Sequence, residues 1–202
     1  VYAMFDDAIS TATTAPGTLS VTLAPGINNS LALFGLQGQE LVITVCDGPA
    51  GPEVYTKTVQ LDGSIVTDWY QYFFEGFYQE KEIILTDLPP YASSHITVTV
   101  TGGTAAIGTM VVGTEYDIGR TLIGVGMPNE DYSRVEWDEF GGVKLTRRNS
   151  SKRTTFRTTV PRAQLRKVYQ ILDDLRATPA VWRVSRLAED SPANVFGIRS
   201  SW

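Results

Sequence analysis

The sequence holds little of the residue types on which metal and nucleophile chemistry usually depends: one cysteine, Cys46, and one histidine, His95, in 202 residues. A single thiol excludes an internal disulfide. The segment "ELVITVC" places it at the end of a strand, where a packed thiol is the ordinary outcome. A zinc site built from His and Cys lacks ligands. A Ser-His-Asp site would rest on the lone imidazole, and His95 opens the alternating strand "HITVTVT", where a structural or surface role is expected. No apolar run reaches the length of about eighteen residues that a membrane-spanning helix needs. Missing as well are a GxSxG elbow, a Walker loop, HExxH and CxxC. Glycine-containing stretches such as "GGTAAIG" lack a following helix at phosphate-binding spacing.

What is present in quantity is carboxylate. Asp6, Asp7, Glu130, Asp131, Glu136, Asp138 and Glu139 are the clustered acids. A glycosidase needs two carboxylates facing each other across a cleft, which adjacency along the chain does not supply. Adjacent acids on turns are usually solvated and only sometimes hold Ca²⁺. The expectation is therefore no catalysis, no metal site and no cofactor.

The net charge of −5 conceals a division along the chain. Residues 1–113 hold two basic residues, Lys57 and Lys81, against eleven acids, a net of −9. Residues 114–202 hold fifteen basic residues against eleven acids, a net of +4. Such asymmetry predicts two surfaces with different neighbours.

The two parts also differ in pattern. The first is a series of short runs: "TLSVTLAPG", "SLALFGLQG", "ELVITVCDGP", "EVYTKTVQLDG", "KEIILTDLPP", "HITVTVTGG" and "AAIGTMVVG". Each has period-two apolar spacing or β-branched content and ends in turn chemistry. This predicts an antiparallel, jelly-roll-like β-sandwich over residues 1–113, uninterrupted by helix. The remainder, 114–202, predicts a β-rich unit with one amphipathic helix over about 161–177. Pro161 suits a helix start. Leu165, Val168, Leu172 and Leu175 mark one face, widened by Tyr169 and Ile171, and are expected to pack on core. Thr178-Pro179 ends it. "VKLTRR", "KRTTFRTTV", "AVWRVSR" and "NVFGIRSSW" predict strands. The last is still in progress at Trp202, and the chain opens at Val1, so it reads as a piece of a longer polypeptide.

Two stretches are candidate contact surfaces. The first is basic: Lys144, Arg147, Arg148, Lys152, Arg153, Arg157, Arg162, Arg166 and Lys167 lie between Phe140 and Leu172 with no acid among them. Clustered Lys and Arg suit a nucleic-acid groove. Stacking aromatics are sparse there and the chain as a whole is acidic, which favours an acidic protein surface instead, either the first part or a neighbouring subunit. The second is "DWYQYFFEGFY", residues 68–78, in which seven of eleven residues are aromatic. As a strand it would place Trp69, Gln71 and Phe73 on one face and Tyr70, Tyr72 and Phe74 on the other, with Phe77 and Tyr78 continuing the run. With both faces aromatic, the stretch fits a buried core strand, a partner interface, or a sugar platform using Asp68, Trp69, Tyr70 and Tyr72.

Several linked phrases, among them "AMFDDAISTATTAPGTLSVTLAPG", "VTDWYQYFFEGF", "KEIILTDLPPYASSHITVTV", "VVGTEYDIGRTLIGVGM", "DYSRVEWDEFGGVKL" and "AQLRKVYQILDDLRATPAVW", resemble a family of tailed-bacteriophage and prophage tail-region proteins, often labelled carbohydrate-binding or tail proteins. The resemblance covers most of the chain. It implies a non-enzymatic virion component with no catalytic residues to carry over. Its expected role is to connect fibres or a tail-tip element to the tail, with other tail proteins and copies of itself as partners. The alternative is a carbohydrate-binding module for host surface glycan. Neither a membrane span nor nucleic acid is expected.

Overall fold

The structure, a computed structural model, describes residues 3–6, 11–61, 69–74, 79–187 and 192–199. Within 69–74 it describes the side chains of Trp69, Tyr70 and Phe73. The chain divides into two compact units, Val1–Tyr116 and Asp117–Trp202. It is mainly β, with antiparallel pairing throughout.

The first unit is a jelly-roll-like sandwich. Its strands are β1 (Thr13–Leu23), β2 (Ser30–Phe34), β3 (Glu40–Asp47), β4 (Glu53–Gln60), β5 (Glu82–Leu85), β6 (Ser94–Ile107) and β7 (Thr109–Gly113). One sheet has the order β1-β6-β3-β4 and the other β5-β2-β7. Except at the β3–β4 hairpin, each successive strand crosses to the other sheet, the habit of a jelly roll, here with seven strands. The period-two pattern sets the inner faces. Leu41, Ile43 and Val45 on β3 and Ile96, Val98 and Val100 on β6 are buried, and Leu31, Leu33, Ile83, Leu85 and Met110 of the second sheet belong to the same core. Burying each such side chain contributes roughly 1.5–3 kcal/mol. The outer face of the first sheet is hydroxylated, with Ser20 paired to Thr99 at 3.0 Å and Thr22 to Thr97 at 2.9 Å.

Two expectations are corrected here. "HITVTVTGG" and "AAIGTMVVG" do not divide at Gly102-Gly103. β6 runs through both glycines, with an irregularity in its pairing opposite Pro16 and Thr18, and the break falls at Gly108. The barrier to strand continuation is the change of sheet, not the presence of glycine. Second, the sandwich is interrupted by helix: residues Trp69–Phe74, expected as a strand, form α1. Helical spacing brings Trp69 and Phe73 onto one side, where their rings stack with centroids 6.2 Å apart.

The second unit begins with a series of nested two-stranded pairs. β8 (Arg120–Thr121) pairs with β13 (Thr158–Thr159), β9 (Asn129–Asp131) with β12 (Ser150–Lys152), and β10 (Arg134–Trp137) with β11 (Val143–Thr146). A bridge between Gly126 and Thr155 fills one interval. Together they make one long antiparallel ribbon with an outgoing and a returning leg. A 3₁₀ turn at Arg162–Gln164 leads into α2 (Leu165–Asp174), shorter than the expected helix. Val168 and Leu172 are buried, while Leu165 and Tyr169 remain about half exposed, so only half of the apolar stripe packs on core. β14 (Ala180–Trp182) pairs with β15 (Val195–Gly197), and Trp182 Nε1 donates to Gly197 O at 3.1 Å.

Candidate interaction surface on an exposed ribbon

The ribbon is tied at its base. Leu122 N–H donates to Arg157 O at 2.8 Å, and Gly126 and Thr155 exchange backbone bonds of 2.8 Å. The Thr121 hydroxyl donates to Val184 O at 2.9 Å and the Thr154 hydroxyl to Ala193 O at 3.0 Å. Buried Asn194 accepts from Val184 N–H at 3.2 Å, which satisfies a polar group that burial would otherwise penalise.

Its far end is closed by a turn with local chemistry. Asp138 Oδ1 accepts the N–H groups of Phe140 at 2.9 Å and Gly142 at 2.6 Å. Gly141 takes the left-handed conformation, φ +80°, that this reversal requires. Between β9 and β10 an Asx turn repeats the device: Asp131 Oδ1 accepts Ser133 N–H at 2.9 Å. That hydrogen bonding, with the Ser133 hydroxyl first and the nearby Arg147 charge last, holds the Asp131 carboxyl below its usual range. Tyr132 Oη donates to Glu130 on its own leg at 3.1 Å and reaches Ser151 across the ribbon at 3.2 Å, and Arg153 pairs across it with Glu130 at 3.2 Å.

The register makes the end of the ribbon amphipathic. Val135 lies opposite Leu145 and Trp137 opposite Val143, so these four share one face. Arg134, Glu136, Lys144 and Thr146 share the other, where Arg134 Nε meets Glu136 at 2.8 Å. The apolar face is open: Trp137 is 72% exposed, Leu145 74%, and Phe140 on the turn 96%. From Asn129 to Ser150 every residue is exposed except Ser133 and Glu136, which are half-buried. An isolated two-stranded hairpin is marginally stable in water, and exposed rings and aliphatics at such density mark interaction surfaces.

The basic candidates divide between elements. Lys144, Arg147, Arg148, Lys152, Arg153 and Arg157 all lie on the returning leg and are exposed, whereas Arg162 precedes α2, and Arg166 and Lys167 sit on it. The returning leg is faced by an outgoing leg rich in acids, so part of its charge is matched within the ribbon, as at Arg153 and Glu130. Sequence reasoning missed the apolar face, although "RVEW" and "VKLT" carry the alternation. The legible signal was that pattern flanking "DEFGG".

In the aromatic stretch, Trp69 is 77% exposed, and Tyr70 and Phe73 are also exposed, which removes these three from the core. The side chains of Tyr72 and Phe74, and all of Asp68, Phe77 and Tyr78, lie outside the described residues. Cys46 is half-exposed on the outer sheet face, opposite His95 in register, and His95 Nδ1 lies 2.9 Å from Ser93 O. Among the described residues, no three His, Cys, Asp or Glu side chains are grouped so as to hold a metal ion, and no helix is long and apolar enough to cross a membrane. Protein-family models, curated proteins and solved structures were compared with the chain, and none matches it.

Proposed function

We propose that the chain is a structural protein of a phage tail, connecting fibres or a tail-tip element to the tail through contacts with other tail proteins and with copies of itself. The observation that carries this reading is the open apolar face of the ribbon, formed by Val135, Trp137, Val143 and Leu145. A surface of this kind gains by being covered, and a β-ribbon held at its base is suited to reaching a neighbouring subunit. The setting is taken from the resemblance of several sequence phrases to tail-region proteins.

The test is immunogold labelling of intact particles of the phage encoding this chain, with mass spectrometry of the purified particles. Label on the tail supports the reading. A chain absent from particles overturns it.

A second reading, a carbohydrate-binding module on the same tail, is favoured by one observation: the stacked Trp69–Phe73 pair with an exposed Tyr70 beside it. Rings presented in this way can stack on sugar faces. The outer face of the first sheet offers no such platform, since Ser20, Thr22, Thr97 and Thr99 occupy it. Glycan-array binding that Trp69→Ala abolishes would move the assignment to this reading.

A further inference from the structure

The ribbon separates charge by leg. From Arg120 to Glu139 the outgoing leg carries five acids and two bases, Arg120 and Arg134, a net of −3. From Val143 to Thr159 the returning leg carries six bases and no acid. Internal matching, at Arg153–Glu130 across the legs and at Arg134–Glu136 along the outgoing one, leaves each leg with its own sign. Each leg uses one edge for the other leg, and among the described residues no third strand pairs with either. The outer edges therefore present alternate backbone N–H and C=O groups, a template for another strand.

We infer that this ribbon docks edge to edge with a second copy of the chain, the acidic outgoing leg of one copy against the basic returning leg of the next. Pairing like legs would set two edges of one sign together, which is repulsive. Opposite legs attract, and the contact they form is head-to-tail, so it repeats until it closes into a ring. Because the two legs of a ribbon run antiparallel, the new junction is antiparallel as well. Every ribbon then points the same way, and the faces bearing Val135, Trp137, Val143 and Leu145 fall on one side of a common sheet. Closure leaves no exposed strand edge and gathers the apolar faces together. The inference rests on the part of the proposed function in which copies of the chain meet.

Two charge-reversed variants test it. R147E/R148E/K152E/R157E turns the returning leg from +6 to −2, so that both legs are acidic, and E136K/E139K turns the outgoing leg from −3 to +1, so that both are basic, while Asp131 and Asp138 stay in their turns. Each variant alone is expected to self-associate at least about tenfold more weakly than the wild type in sedimentation. Mixed in equal amounts they regain association, because each then supplies the leg that the other lacks. As a check independent of substitution, equal amounts of isotopically light and heavy wild-type chain are treated with a carbodiimide. Links between outgoing-leg acids of one isotope and Lys144 or Lys152 of the other are expected. A monomeric wild type, a mixture no better than its components, or links confined to single chains overturns the edge pairing. Those results leave the tail assignment standing, since it is read separately from immunogold label on particles.

Discussion

Gly108 is the single residue between β6 and β7, and it carries the chain from one sheet to the other. Its N–H donates to Phe34 O at 3.0 Å. A Cβ added there would lie 2.9 Å from that same oxygen and 3.3 Å from Gly35 Cα, so the corner admits no side chain. Gly108→Ala is expected to lower stability by about 1–3 kcal/mol in urea unfolding. Gly103→Ala, where nothing lies within 4 Å, is expected to change it by less than about 1 kcal/mol. Equal effects would mean that backbone approach is not what fixes glycine at the corner. Tyr55 makes a different kind of tie, from β4 to the segment after β5, through its hydroxyl donated to Asp87 at 3.1 Å. Burial first, then the Asp87 charge and hydrogen bond, raise the phenol from 10.0 to about 12. The folded chain thus holds this proton more tightly than the unfolded chain does. The contribution is fully present below the unfolded value and is lost as pH rises through the folded one. Stability measured against pH for wild type and Tyr55→Phe should accordingly converge as pH rises from about 10 to about 12. Curves that stay parallel would show that burial and Asp87 together do not make the folded chain hold this proton more tightly than the unfolded chain.

The strands of the sandwich and the ribbon differ in what surrounds them, and hydrogen exchange should report it. β3 and β6 are central, each paired on both sides and packed on the shared core. Their amides are expected to exchange slowest, near the global unfolding limit. Amides of Arg134–Trp137 and Val143–Thr146 have one partner strand and exposed side chains, and are expected to exchange orders of magnitude faster in the isolated chain. Slow exchange at both sets would remove the argument that the ribbon end lacks a partner. The seven strands of the first unit were legible because half-buried strands alternate with period two and glycine, proline and aspartate punctuate them. The aromatic stretch was misread as a strand because ring residues favour both extended structure and i,i+4 stacking, and six residues are too few for periodicity to decide. The helix at Leu165–Asp174 was legible as an element, but not the extent of its burial: Val168 and Leu172 are covered, and Leu165 and Tyr169 are not.

In the whole molecule, charge follows the division into units. Val1–Tyr116 holds two basic and twelve acidic residues, and Asp117–Trp202 holds fifteen basic and ten acidic. That separation, the antiparallel β character of the first unit and the paucity of metal-ligating and nucleophilic residues all follow from composition and local period, which act residue by residue and need no partner to be read. The ribbon did not follow. Its basic segment looks continuous along the chain from Lys144 to Lys167, but pairing assigns the first six bases to a leg that faces acids and the last three to a helix and its approach. Its apolar face exists because Val135 meets Leu145 and Trp137 meets Val143. Which residue stands opposite which is settled by the turn at Asp138–Gly142 and by the ladder it sets running, a non-local register that chain order does not contain.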